Sequence, residues 1–244
     1  MIEYYIISIA VMLLCAAIAG VASARVRSAY NKYGNIPTKS HTTGYDTATT
    51  LLRKNGVYDI RVGRVSGHLS DHYHPVKKVV NLSDSVYGND SIAACAVAAH
   101  EIGHVLQKKK GYFPYKLRQA LVKITNIGSY LAVPLVLLGV VLDFFVASTA
   151  EAEIGYYFAL IGVGLYGLST VFAFVTLPVE LDASRRAKRM LVAEGILEKD
   201  ELQYADKMLD AAAATYLASL LTSMIYFLRF LLWVMTIFGR RRRR

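Results

Sequence analysis

The chain has 244 residues, 55% of them hydrophobic and 19% charged, where soluble domains are roughly 45–50% apolar. With a mean hydropathy of +0.35, this argues against a freely soluble protein and for a membrane. The formal net charge of +10 includes five terminal arginines, and the two cysteines, Cys15 and Cys95, lie in apolar runs, where they read as small buried hydrophobes rather than a disulfide framework.

Residues 2–23 form an apolar run long enough to span a bilayer. Ala22-Ser23-Ala24 imitates a signal-peptidase site. However, its N-terminal end carries Glu3 and no Lys or Arg, while Arg25 and Arg27 follow the run. Segment 1–24 is therefore expected to be a retained transmembrane anchor with its N-terminus outside.

Segment 25–126 is polar. Residues 43–54 have helical character and close at Asn55-Gly56. Residues 57–62 alternate and predict a strand, 68–75 a turn and 78–83 a second strand, giving a short β-hairpin or small sheet. Asn89 and Asp90 offer an N-cap signal for a helix that ends at Lys108-Lys109-Lys110-Gly111.

That helix carries His100-Glu101-Ile102-Gly103-His104, the pattern H-E-x-x-H. Residues four apart lie on one helix face, so both imidazoles can reach one zinc ion, and Glu101 can take a proton from the water it activates. The pattern fixes only three positions and recurs by chance. The helix around it is apolar nearly all round, where His and Glu are costly unless paired or metal-bound.

Residues 127–148 and 154–177 are two further runs of spanning length. The acidic connection 148–153 makes 127–177 a transmembrane helical hairpin, with Pro134 expected to kink its first arm and Asp143 near headgroup level. Gly162-x-Gly164-x-x-Gly167 matches a dinucleotide fingerprint only formally. No strand precedes it, and close helix packing is the better account.

Segment 178–215 returns to polar sequence. One helix is expected from Pro178 to about Glu194, another from near Lys199 into the apolar run 216–238. Segment 216–244 reads as a transmembrane or interfacial helix with a basic tail. Sixteen Lys/Arg lie in 24–126 and six in 178–210, while 1–24 and 124–184 hold none. By the positive-inside rule both polar segments face the cytoplasm, so the His100/His104 helix and Glu180 share a compartment. A fourth span would put the tail outside, against that rule, and Arg229 interrupts the run. A bent, re-entrant or interfacial helix with its tail inside is the favoured alternative. Arg240, Arg241, Arg242, Arg243 and Arg244 directly follow apolar sequence, which suits an anionic-lipid anchor and not a nucleic-acid arm.

A catalytic zinc needs three protein ligands and a water. Glu180, opening a helix just after a span on the motif's side, is the best third candidate. His41 reads as a solvated loop residue. His68, His72 and His74 could form a second metal site, but shaping the rim of the cleft suits them better. His72, Tyr73, Arg185, Arg186 and Tyr216 are all candidates to stabilise an oxyanion.

These motifs together resemble a known family. The features are an N-terminal span, a Thr-Gly-containing helix near 42–55 and Ser66-Gly67 with Leu69-x-Asp71-His72-Tyr73-x-Pro75. To them add Ala98-Ala99-His100-Glu101-x-Gly103-His104 and Leu177-Pro178-Val179-Glu180-x-Asp182-Ala183-Ser184-Arg185-Arg186-Ala187. The chain is similar over nearly its whole length to the YugP-like bacterial neutral zinc metallopeptidases, a group of membrane proteases. It is more distantly similar to HtpX-type membrane peptidases, which also place a transmembrane hairpin between the H-E-x-x-H helix and a Glu ligand. Two positions depart: Ser184 stands where HtpX-type enzymes have an Asp that supports a zinc histidine, so the resemblance leaves Ser184, as a neutral partner, and Asp182 as rivals for that role, and His74 stands where the YugP-like pattern has Asp.

The resemblance implies one Zn²⁺ per chain on His100, His104 and Glu180, and peptide-bond hydrolysis with Glu101 as catalytic base. The expected fold is a mainly α integral membrane protein with three to four membrane helices and a small α+β zincin-like (gluzincin) catalytic part. The expected partners are a protein or peptide substrate and the lipid bilayer, and the expected place is the bacterial cytoplasmic membrane with the active site facing the cytoplasm. The rival is a non-catalytic membrane scaffold or chaperone-like binder with a structural zinc site. Such a site usually carries four protein ligands, and only three are evident. A transporter would need more midplane polar groups than Asp143 and Arg229.

Overall fold

The computed structural model of the chain describes residues 2–146 and 154–241. Helix α1 covers Ile2–Tyr33, continuing past the apolar run because no Gly or Pro interrupts residues 24–33 before Gly34. Helix α2 covers Gly44–Lys54 and starts on a capping box. Asp46 N–H donates to Thr43 Oγ1 (3.1 Å), and Thr43 N–H donates back to the Asp46 carboxylate (3.3 Å).

Three strands follow: β1 (Arg61–Val65), β2 (His72–His74) and β3 (Val79–Ser83). They form one sheet in the order β1-β3-β2. Val62 lies beside Val80 in a parallel pair, and Tyr73 opposes Val80 in an antiparallel one. The first strand thus begins later than the alternation at 57–62 suggests. Val57 N–H turns back to Leu52 O (2.9 Å) and belongs to the end of α2. The expected turn at 68–75 contains β2. With one apolar residue between two outward histidines, it is too short to register as a periodic pattern. The reversal falls after it, with Lys78 at φ +51°.

Helix α3 (Asp84–Tyr87) is a single turn leading to α4 (Ile92–Lys109). The N-cap of α4 is Ser91, whose Oγ accepts Ala94 N–H (3.2 Å), while Asn89 Oδ1 accepts Ser91 N–H (2.9 Å). Asn89 therefore caps the cap. Helices α5 (Phe113–Val146), α6 (Ile154–Ala193) and α7 (Lys199–Arg241) complete the chain. Pro134 and Pro178 both lie inside continuous helices. The helix expected to open at Pro178 is the second half of α6.

The chain forms two compact units. One comprises Met1–Ile18, Leu117–Thr176 and Ala218–Arg244, with a core of Val136, Ala159, Val163, Val234 and Phe238. Gly162 and Gly167 are small for a reason there. A Cβ would lie 2.6 Å from Ala132 O at the first and 2.9 Å from the Phe227 ring at the second, whereas Gly164 meets nothing. These glycines sit in mid-helix, as packing and not cofactor binding requires. Asp143 is buried.

Among the described residues, four helices are long and apolar enough to cross a membrane: Ile6–Tyr33, Phe113–Asp143, Ile154–Ala193 and Lys199–Phe238. Because α7 is unbroken, the chain makes no re-entrant turn there. The acidic connection 148–153 and Arg242, Arg243 and Arg244 of the basic tail lie outside the described residues.

The other unit comprises Ala19–Lys116 and Leu177–Leu217. Its core gathers Leu51 of α2, Leu82 of β3, Ile92 and Ile102 of α4, and Leu191 and Leu197 from α6 and the turn after it. Helix α4 runs through the middle of that core, apolar on nearly every face, as the sequence requires.

Candidate metal centre

Within this second unit α4 places His100 and His104 one turn apart, with ring centroids 4.8 Å apart and planes almost perpendicular (88°). Glu180 comes from α6. The two helices meet where side chains are smallest. Gly103 faces Ala183, and a Cβ on Gly103 would lie 2.6 Å from Ala183 O. This close approach carries Glu180 to the histidines. Glu180 Oε2 is 3.2 Å from His100 Nε2 and 3.5 Å from His104 Nε2. The donor atoms of the three residues all lie within 4.8 Å of one another.

Each histidine spends its other ring nitrogen on the protein. His100 Nδ1 is 3.1 Å from Ser184 Oγ, and His104 Nδ1 is 3.0 Å from Gln107 Oε1. Both Nε2 atoms are thereby turned toward Glu180. Two imidazole nitrogens and a carboxylate oxygen, oriented from behind by hydrogen bonds, fit a borderline-soft divalent cation such as zinc. The electrostatics agree. Burial pushes the His104 imidazole down, but the Glu180 carboxylate, with Glu101 behind it, more than reverses this and holds its pKa above the ordinary histidine value. A buried place that raises proton affinity is one that draws a cation.

Glu101 is 8% exposed and, with His100, lines a cavity of about 430 Å³ whose walls include Leu69, Val97, Met208 and Leu209. Of the five side chains considered for an oxyanion, Tyr216 lines this cavity. The other four do not. His72 is tied to Ser70 O (2.8 Å) and across the strand pair to Asn81 (3.0 Å). Tyr73 lines a separate cavity beside Val105 and Lys78, Arg185 is exposed, and Arg186 is drawn to Asp182 (2.6 Å).

The three loop histidines are not brought together. His68 stacks edgewise on Tyr30 (4.5 Å), and His74 Nδ1 accepts Lys77 N–H (3.2 Å). Their neighbours Leu69 and Asp71 do reach the cavity rim. His41 is an exposed loop residue at φ +50°, 3.0 Å from Asp90. Among the described residues, His100, His104 and Glu180 are the one group spaced for a metal.

Gln107 is a site residue that the motif alone does not reveal. It is fully buried, and its Nε2 donates to Val179 O (2.7 Å) and Asp182 Oδ2 (2.9 Å). Its signal was its place: three residues beyond His104 and seven beyond His100, it falls on the face of the motif, between apolar Val105-Leu106 and the lysines from Lys108 to Lys110. Asp182 therefore reaches His104 only through Gln107, while Ser184 touches His100 directly.

A family model described as "Putative neutral zinc metallopeptidase" matches residues 5–235. The chain is 40% identical over 213 residues to the "Putative membrane protease YugP" of Bacillus subtilis (strain 168), an alignment covering 86% of this chain and 89% of that one. No solved structure matches the chain significantly.

Proposed function

Because the chain belongs to the family described as "Putative neutral zinc metallopeptidase", we propose that it is a zinc-dependent membrane endopeptidase of gluzincin type. It hydrolyses peptide bonds of membrane or membrane-near proteins at the cytoplasmic face of the bacterial cytoplasmic membrane. The observation that carries this reading is the convergence of His100, His104 and Glu180 donors within 4.8 Å, next to a carboxylate that lines a cavity. Three protein donors is the number of a catalytic zinc site, whereas structural sites close with four. This favours the enzyme over the scaffold.

One Zn²⁺ per chain, held by His100, His104 and Glu180, supplies Lewis-acid polarisation of a carbonyl and a water of lowered pKa. Glu101, adjacent to His100 on α4, takes the proton of the attacking water and passes it to the leaving amine. Tyr216, in the same cavity, donates to the carbonyl oxygen as charge develops on it. Strand β2 is an edge of its sheet, with backbone groups that an extended substrate can pair. The distribution of Lys and Arg supports the cytoplasmic placement, and the arginines from Arg240 to Arg244 serve as contacts for anionic lipid.

The test uses the full chain in detergent, casein as probe, and Glu101→Gln. The variant is expected to hold one zinc per chain while cleavage falls by about 10²–10⁴-fold, the usual contribution of a general base. Undiminished cleavage by Glu101→Gln would refute the mechanism.

A further inference from the structure

We infer that Gln107 is the positioning residue that joins the two halves of the metal site, setting both the orientation of His104 and the approach of Glu180. The inference rests on the proposed metal reading and concerns how this chain builds the site. It starts from the chemistry of an amide. Gln107 is 0% exposed, so both ends of its side chain need partners. Val179 O can only accept, and it lies 2.7 Å from one end. Asp182 Oδ2, 2.9 Å away, is held by Arg186 at 2.6 Å as an ionised acceptor. The end facing these two acceptors must be the NH₂ group. The carbonyl oxygen is then left facing His104 Nδ1 at 3.0 Å. An acceptor there requires Nδ1 to carry the hydrogen, which leaves the lone pair on Nε2. Nε2 is the nitrogen turned toward Glu180.

The same amide acts on the other half of the site. Val179 immediately precedes Glu180, so the bond to its carbonyl pins the α6 backbone at the residue before the carboxylate. Asp182 and Arg186 lie farther along that helix, and the Arg186 guanidinium rests over the Tyr112 ring at 5.8 Å. Gln107 therefore is the last link in a chain of contacts that runs from Tyr112 through Arg186 and Asp182 to His104. A hydrophobic residue of equal length would fill the space but leave His104 free to rotate or change tautomer. A carboxylate could accept from His104 but could not donate to Val179 O or Asp182.

The experiment measures metal affinity of the full chain by chelator competition with Zn²⁺, and the visible spectrum with Co²⁺ as a probe of ligand geometry. Gln107→Met is expected to bind Zn²⁺ about 10–100-fold more weakly, the usual effect of losing an outer partner of a metal ligand, with an altered Co²⁺ spectrum. Gln107→Glu should be at least as weak, because it sets a carboxylate against Asp182. Adding Asp182→Asn restores a donor–acceptor pair in the opposite sense, so Gln107→Glu with Asp182→Asn should bind more tightly than Gln107→Glu alone. A merely structural role predicts additive losses. Unchanged affinity and spectrum in Gln107→Met, or no recovery in the double variant, would overturn the inference. If the unaltered chain bound no Zn²⁺, the metal reading itself would fall, and the inference with it.

Discussion

Replacing Gly103 with alanine sets two physical effects against each other. On helix propensity alone, Gly to Ala in mid-helix stabilises by about 1 kcal/mol. At this position the added methyl would lie 2.6 Å from Ala183 O, 3.0 Å from Ala183 Cα and 3.1 Å from Ala183 C. All three are backbone atoms, so no side chain can rotate away. Restoring ordinary contact requires α4 and α6 to part by roughly 0.8 Å, and overpacking of this kind costs about 1–3 kcal/mol. The net is a destabilisation of about 0–2 kcal/mol, within what a folded chain tolerates. Ligand geometry has no such compensation. Glu180 rides on α6 three residues before Ala183, and metal–ligand distances tolerate only about ±0.2 Å. Gly103→Ala should therefore keep its fold while losing at least about tenfold in Zn²⁺ affinity. Thermal unfolding without metal, paired with chelator competition, separates the two effects. If the variant is more stable and binds zinc as tightly as the original chain, the close approach of these helices does not set the site.

Two further outcomes are expected. Glu180→Ala should weaken Zn²⁺ binding by more than the about 10–100-fold that follows loss of an outer partner, checked by metal content after dialysis; full zinc retention would remove Glu180 from the ligand set. Burial pushes the Cys95 thiol up to about 12, and its sulfur donates to Thr42 O (3.0 Å). It should resist iodoacetamide in the native chain at pH 8 and react only on unfolding. Peptide mass mapping would expose an error if Cys95 were alkylated in the folded protein.

The α4 helix and its motif are legible in the sequence because two signals coincide: apolar residues on all faces and cap chemistry at both ends. Glu180 could be placed because charge asymmetry puts it on the same side as the motif. The sheet was less legible. No residue of strand β1 is fully buried and β2 is only three residues long, so neither carries a strong alternation. The parallel pairing of β1 with β3 is a tertiary outcome that no local pattern encodes. Within the site, the sequence offered Ser184 and Asp182 as rivals for supporting a histidine. The structure gives each a different histidine, because Gln107 fills the distance that Asp182 cannot span. Pro178 misled for a simple reason: proline is a helix breaker on average, yet here the helix continues through it.

The two histidines and the glutamate they face are 80 residues apart between His100 and Glu180. During synthesis the chain emerges from its N-terminus, so the motif helix leaves the ribosome well before Glu180, the third proposed ligand. Two imidazoles alone make an incomplete cage. An unfinished chain cannot assemble the His100, His104 and Glu180 group until the intervening hairpin sequence has been made. On the proposed reading, the order of the residues along the chain delays assembly of the metal centre until the intervening hairpin has been made.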